Sequence, residues 1–276
     1  MNKLIVLFSW VALSVCLDAQ ITLGPNVGTF GVLAGSAVTN TGATVVVGNV
    51  GVSPSSSIGG FPPGALSGTK YSGASSLAGT AQTELTTAYN AVAGTASTAI
   101  WNADLGGHTF YVGGVYTAST SLGLTGAVTL DCTSNPNGQI IFQIGSTLTT
   151  ASGSSVTLVN CQASNIFWLV GTSATLGTTT SFAGNILAQA SITMNTGASL
   201  SGRALARTGA VTLDTNAISA PAGLGGAGGG PTVPPGSGIP ISPAPAPSSL
   251  ILVALALVCV GLYQARKRLS NLFGRN

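Results

Sequence analysis

One short phrase, an apolar residue, a threonine and a second apolar residue preceded by something small, returns along the chain. With its threonines in register it reads GAVTL at 126 to 130, SSVTL at 154 to 158, TSATL at 172 to 176, ASITM at 190 to 194 and GAVTL at 209 to 213. Thr157, Thr175, Thr193 and Thr212 follow one another at steps of 18, 18 and 19 residues. A pitch near 20 residues restricts a chain to repeat architectures, in which each unit buries its apolar side by stacking on the next.

Within each phrase the alternation has period two, the mark of a strand with one face inward. Val128, Val156, Ala174, Ile192 and Val211 fall on the inner side with Leu130, Leu158, Leu176, Met194 and Leu213. The outer side then carries Ala127, Ser155, Ser173, Ser191 and Ala210 beside Thr129, Thr157, Thr175, Thr193 and Thr212. Stacked coils would present two columns of small, mostly hydroxylated side chains.

A second family of strands follows the phrases (QIIFQI, NIFWLV, GNILAQ, GRALAR) and a weaker third lies between them (GTTTSF, NTGASL). Three short strands per coil, joined at Gly, Asn or Ser corners, give a triangular parallel β-helix with an apolar interior. Residues 30 to 52 fit the same template, with Thr39 at the phrase's threonine position. Between residues 73 and 100 the period changes. Leu77, Ala81, Leu85, Ala88, Tyr89 and Val92 recur at three- and four-residue steps, which predicts one amphipathic helix covering a solenoid face.

Only 5% of the residues are charged while 45% are apolar and 39 are Gly, too apolar for disorder and too poor in charge for an ordinary cytosolic domain. Between Gln20 and Ser219, Lys70, Arg203 and Arg207 face Glu84, Asp104, Asp131 and Asp214. So even a balance offers nucleic acid no electrostatic footprint. Four scattered acids and the lone His108, expected on a loop or the surface, provide neither the paired groups of a hydrolase nor a metal-ligand set. No cofactor is expected. GLGGAG, at 223 to 228, matches a nucleotide-loop pattern but follows no strand and runs into prolines, so it reads as linker. Arg203 and Arg207 fall on one side of a strand and read as a solubilising or edge feature that could pair with Asp214.

The ends have their own grammar. Residues 1 to 19 carry Lys3, an apolar run from Leu4 to Cys16 and the small Ala19, which predicts a secretory signal cleaved before Gln20. A lipoprotein site at Cys16 is the other option, although Val15 is bulky for one. Export implies an oxidising compartment, and of the four cysteines only Cys132 and Cys161 fall in the body, where a disulfide between them is the natural expectation. Residues 220 to 249 form a Gly- and Pro-rich linker. Residues 250 to 276 begin with an uncharged run, Leu250 to Tyr263, followed by QARKR. This end resembles the PEP-CTERM class of bacterial sorting tails, with PAPSS where that class has Pro-Glu-Pro. The resemblance implies a membrane partner for the tail, whether it is processed or retained, and a body of residues 20 to 219 displayed outside the cell.

The body itself resembles the microbial ice-binding proteins. The resemblance covers roughly Leu23 to Ile218 and rests on TFGVLAGSAVTNTG, GNVGVSP, TTAYNAVAG, GGVYT, IIFQIGSTLTTASGSSVTLVN and FAGNILAQASITMNTGASLSGRALARTGAVTLD, in that order. It implies a discontinuous right-handed β-solenoid whose N-terminal coil packs beside its last coils, with the helix parallel to the axis and Thr39 extending the column that ends at Thr212. It also implies an ice surface as partner, engaged by a flat face with loosely repeated Thr-Ala/Gly-X-Thr motifs. TSAT at 172 to 175 is close to that form, and ASIT and GAVT depart from it at the first position. A structural or adhesive surface domain on the same fold is the alternative.

Overall fold

Short strands separated by tight corners cannot fold back on their chain neighbours, so each pairs with its counterpart one coil away, and every pairing that results is parallel. The computed structural model describes residues 20–221. The expected signal segment, the linker beyond Pro221 and the apolar and basic end lie outside the described residues, as do Cys16 and the expected membrane contact. Among the described residues no helix is long and apolar enough to cross a membrane.

The strands line three faces. The first is a seven-stranded sheet in the order Leu122–Leu124, Leu148–Thr150, Ala174–Leu176, Ile192–Met194, Val211–Asp214, Ala37–Thr41, Ser57–Ile58. A fifteen-stranded sheet makes the other two. One of these runs through Val115–Ala118, Ile140–Ile144 and Ile166–Val170 and carries the helix. The last face runs through Thr109–Tyr111, Ala127–Asp131 and Ser155–Val159 to Ala217–Ser219 and Val45–Val47. Ser181–Ala188 and Ser199–Ala206 cross from the last face to the helix face without a break. They bend at Gly184 and Gly202, both at positive φ, and a Cβ on Gly202 would lie 1.9 Å from the Gly184 carbonyl oxygen. Only glycine can turn that corner.

The chain order is discontinuous. The coil that starts at Phe30 does not begin the stack at Ala99 but packs on the last C-terminal coil, where Val32 pairs with Ala204, Thr39 with Thr212 and Val46 with Ile218, and the coil from Asn49 closes that end. Inward residues form one continuous core, in which Phe110, Phe142, Trp168 and Phe182 stand in a column and the Phe142 and Trp168 rings stack at 4.1 Å. At the corner between the threonine-bearing face and the last face the interior is polar. Thr150 and Thr180 hydroxyls share a hydrogen bond, and Asn216 donates to Asn195 and Ala198 carbonyls.

The helix, α1, spans Leu77–Gly94, shorter than the 73 to 100 expected, because Ser76 caps its N-terminus and Thr95 is already extended. Ala78, Ala81, Leu85, Ala88 and Val92 bury against Val115, Ile141, Phe167, Leu187, Leu205 and Leu33. Tyr89 is half-buried and donates its hydroxyl to the Val170 carbonyl. Side chains tie it down at its C-terminal end and near its middle: Gln143 donates to the Val92 and Thr95 carbonyls, and Glu84 accepts from the Asn26 and Val27 amides.

Arg203 corrects the expectation made for it. The two arginines do share a side, but that side is the helix face, and Arg203 is only 3% exposed. Its guanidinium donates to the Gly28 and Pro221 carbonyls and to Asn185 Oδ1, and burial pulls its pKa down to about 10. Arg207 lies over the Tyr89 ring, 4.6 Å from its centroid. Asp214 points out from another face and accepts from Thr196 and Thr215 instead.

Candidate functional site

Strict alternation along each strand of the seven-stranded sheet puts Leu148, Ala174, Ile192, Val211 and Val38 inward, and the residues that follow them outward. The outward residues pair one-to-one as Gly123, Thr149, Thr175, Thr193, Thr212 and Thr39, without a bulge. A parallel column stands one alternation earlier: Ser121, Thr147, Ser173, Ser191, Ala210, Ala37 and Ser57. Ser173 Oγ accepts from the Ser191 amide and Ser191 Oγ from the Ala210 amide, so these hydroxyls are tied to the next coil. Thr147 donates to Ser121 Oγ at 2.7 Å, and Thr39 lies 3.4 Å from the Thr212 hydroxyl. Neither column carries a charge.

Seven of the eleven residues expected on one flat face are therefore brought together: Thr39, Ser173, Thr175, Ser191, Thr193, Ala210 and Thr212. Ala127, Thr129, Ser155 and Thr157 are not. They pair with each other on the last face, beside Thr109, and their column continues through Ser181, Ser199 and Ala217 to Val45. The cause is coil length. Neighbours on the threonine face are 18 and 19 residues apart between Ser173, Ser191 and Ala210, but 26 apart between Ser121 and Thr147. The longer coils carry the loop that Cys132 and Cys161, joined by a disulfide, staple at the strand ends of the last face. A fixed pitch of 18 thus steps from Thr157 across a corner to Thr175.

Thr147 and Thr149 were missed in the sequence, although STLTT carries the same alternation, with Leu148 inward. The last face is less uniform: Val45 and Val47 stand about half exposed over a shallow apolar groove, and Asp131 and Tyr111 project from it. Hydrogen bonds from Thr133 hold the Asp131 carboxyl below the usual range. His108 is exposed and packs edge-on to Trp101 at 4.7 Å.

A family model described as ice-binding-like matches residues 32–219. The chain belongs to the ice-binding-like family. It is 49% identical over 203 residues to the ice-binding protein of Nostoc sp. (strain HG1), covering 73% of this chain and 75% of the relative. It is 34% identical over 232 residues to ice-binding protein 1 of Shewanella frigidimarina, of which it spans 26%. Among solved structures, the ice-binding protein of Antarctomyces psychrotrophicus aligns with a TM-score of 0.70 at 39% identity, over 73% of this chain and 98% of that one. An ice-binding protein from an Antarctic biological consortium also reaches 0.70, at 44% identity over 79% and 96%.

Proposed function

We propose that this is an exported ice-binding protein that adsorbs to ice through the outer surface of the seven-stranded sheet and so restrains ice growth and recrystallisation. The observation that carries this reading is the pair of in-register, uncharged Thr/Ser/Ala columns. Strands about 4.8 Å apart, with outward residues roughly 6.6 Å apart along each, make a two-dimensional grid of methyl and hydroxyl groups of the order of ice-lattice spacings. Thr on a regular strand has few rotamers, so little entropy is lost on contact. Methyls order the water between them and hydroxyls anchor it; a charge in the grid would hold disordered, tightly bound water instead. Adsorption of this kind breaks no bond and needs no cofactor.

Export before Gln20 and a C-terminal membrane segment would place this surface outside the cell. A disulfide in the body fits that compartment. The test is the Thr175→Tyr, Thr193→Tyr double variant of the full chain, whose rings would stand above the grid. Thermal hysteresis and recrystallisation inhibition should collapse while the melting temperature holds. Full activity in the folded variant would refute this surface as the ice contact. An inactive, folded parent would leave the structural or adhesive role.

A further inference from the structure

One strand step beyond Thr212, at the rim of the threonine face, stands Asp214, paired across the sheet with Thr41. Both of its carboxylate oxygens are taken: Oδ2 by the Thr196 hydroxyl, Oδ1 by the Thr215 hydroxyl at 3.0 Å. Its backbone is pinned from inside, its amide donating to Oδ1 of the buried Asn216 at 2.7 Å. The arrangement has a counterpart at the other end of the face. Thr125 donates its hydroxyl to Asp104 Oδ2 at 3.0 Å, and the carboxylate packs over Gly123, where a Cβ would lie 2.8 Å from Oδ2.

An ionised carboxylate only accepts, whereas a threonine hydroxyl has one hydrogen to give and two lone pairs, with a free rotor. Beside Asp214 the rotor is no longer free. The hydrogens of Thr196 and Thr215 must turn toward the carboxylate, which leaves the oxygen lone pairs of both exposed side chains for water. The same bonds occupy the carboxylate, so it competes less for disordered water than a bare acid would.

We propose that Asp214 is a positioning residue of the ice-contact surface: it turns the Thr196 and Thr215 hydroxyl hydrogens inward, so the rim meets ordered water with a fixed row of acceptors. This rests on the threonine face being the ice contact. Fixing the hydroxyls beforehand removes an ordering cost that binding would otherwise carry.

The test is a cycle in the full chain: Asp214→Asn, Thr196→Val and the two together, each assayed for ice recrystallisation inhibition, thermal hysteresis and thermal melting. Asn keeps the shape but brings an amide donor that competes for the hydroxyl oxygens. Each single variant should need about a five-fold higher concentration for the same inhibition, the size of one lost hydrogen bond. The double variant should need no more than either single, because both break one arrangement. Asp131→Asn, which changes an acid on the last face, should leave ice activity untouched. Unaltered activity in folded Asp214→Asn overturns the proposal, as do losses in the two singles that multiply in the double. If Asp214→Asn is too unstable to assay, exposed Thr196→Val decides alone: a comparable loss supports the proposal, parental activity refutes it. Thr175→Tyr, Thr193→Tyr run alongside separates the levels. Collapse there with a silent Asp214→Asn leaves the threonine face standing and removes only the rim assignment, while activity surviving there removes both.

Discussion

In a body with so few charges, each acid has a traceable task, and at Asp104 the task sets a pH dependence. Partial burial pushes its pKa up, but the Gly106 and Thr125 amides, the Thr125 hydroxyl and nearby His108 outweigh that and hold it below 3.8. A depressed folded-state value means that the folded protein binds the proton less well than the unfolded chain does. The stabilisation is therefore complete above 3.8 and is lost as pH falls through the lower, folded value. Urea midpoints measured through that acid range should drop in the parent and drop less steeply in Asp104→Asn, which has no such proton to gain. Equal slopes would show that Asp104 is not the group responsible. Arg203 teaches the opposite lesson about single residues. Its charge suggested solvent, and nothing local in GRALAR distinguishes a strand side open to water from one roofed by a helix and by the Gly28 and Pro221 carbonyls.

Among the elements, strands were legible wherever alternation decides them, because inward Val-x-Leu and outward small residues are fixed by the pleat within a few residues. The helix was equally plain from Leu77 to Val92, and its ends were not, since caps rather than periodicity set them. What could not be read was which face a strand joins. That depends on the length of the whole coil, and the 26-residue step hides inside a loop without regular structure. The Cys132–Cys161 bridge belongs to that loop and spans a sequence separation of 29. Chain-entropy arguments give a crosslink closing such a loop about 3.5 kcal/mol. The Cys132→Ser, Cys161→Ser variant should lose stability of that order in denaturant unfolding. Its ice activity, where it remains folded, should stay near the parent's, because the bridge sits on the last face and not on the threonine grid. A large loss of activity in the folded variant would move the ice contact toward Thr129 and Thr157.

At the scale of the whole molecule, helix length and coil number are matched. From Ile140–Ile144, whose Gln143 meets the C-terminal end, to Lys70–Ser72, which meets the N-terminal half, α1 runs across seven consecutive strands of the helix face. Six gaps of about 4.8 Å make roughly 29 Å, and 18 helical residues at about 1.5 Å each make roughly 27 Å. Gln143 takes the carbonyls at the C-terminal end, Ser76 caps the N-terminal end, and Glu84, near the middle, holds the Asn26 segment. A solenoid is additive along its axis, so the ice face should be extensible by duplicating the 18-residue coil between Thr175 and Thr193. One added coil lengthens the stack by about 4.8 Å, close to three helical residues, and three residues rotate the buried stripe off the sheet. Two added coils need roughly 9.6 Å, close to six or seven residues, and seven residues are nearly two whole turns, which restore the stripe. Two coils with a seven-residue helix insertion after Leu85 should therefore fold with a melting temperature near the parent's. With two more threonine strands, that protein should show greater thermal hysteresis at equal concentration. The same two coils without the insertion should melt lower, since either the Gln143 or the Glu84 contact of α1 must then break. Equal melting with and without the insertion would mean that the helix is a passenger and that the solenoid alone sets the length of its face.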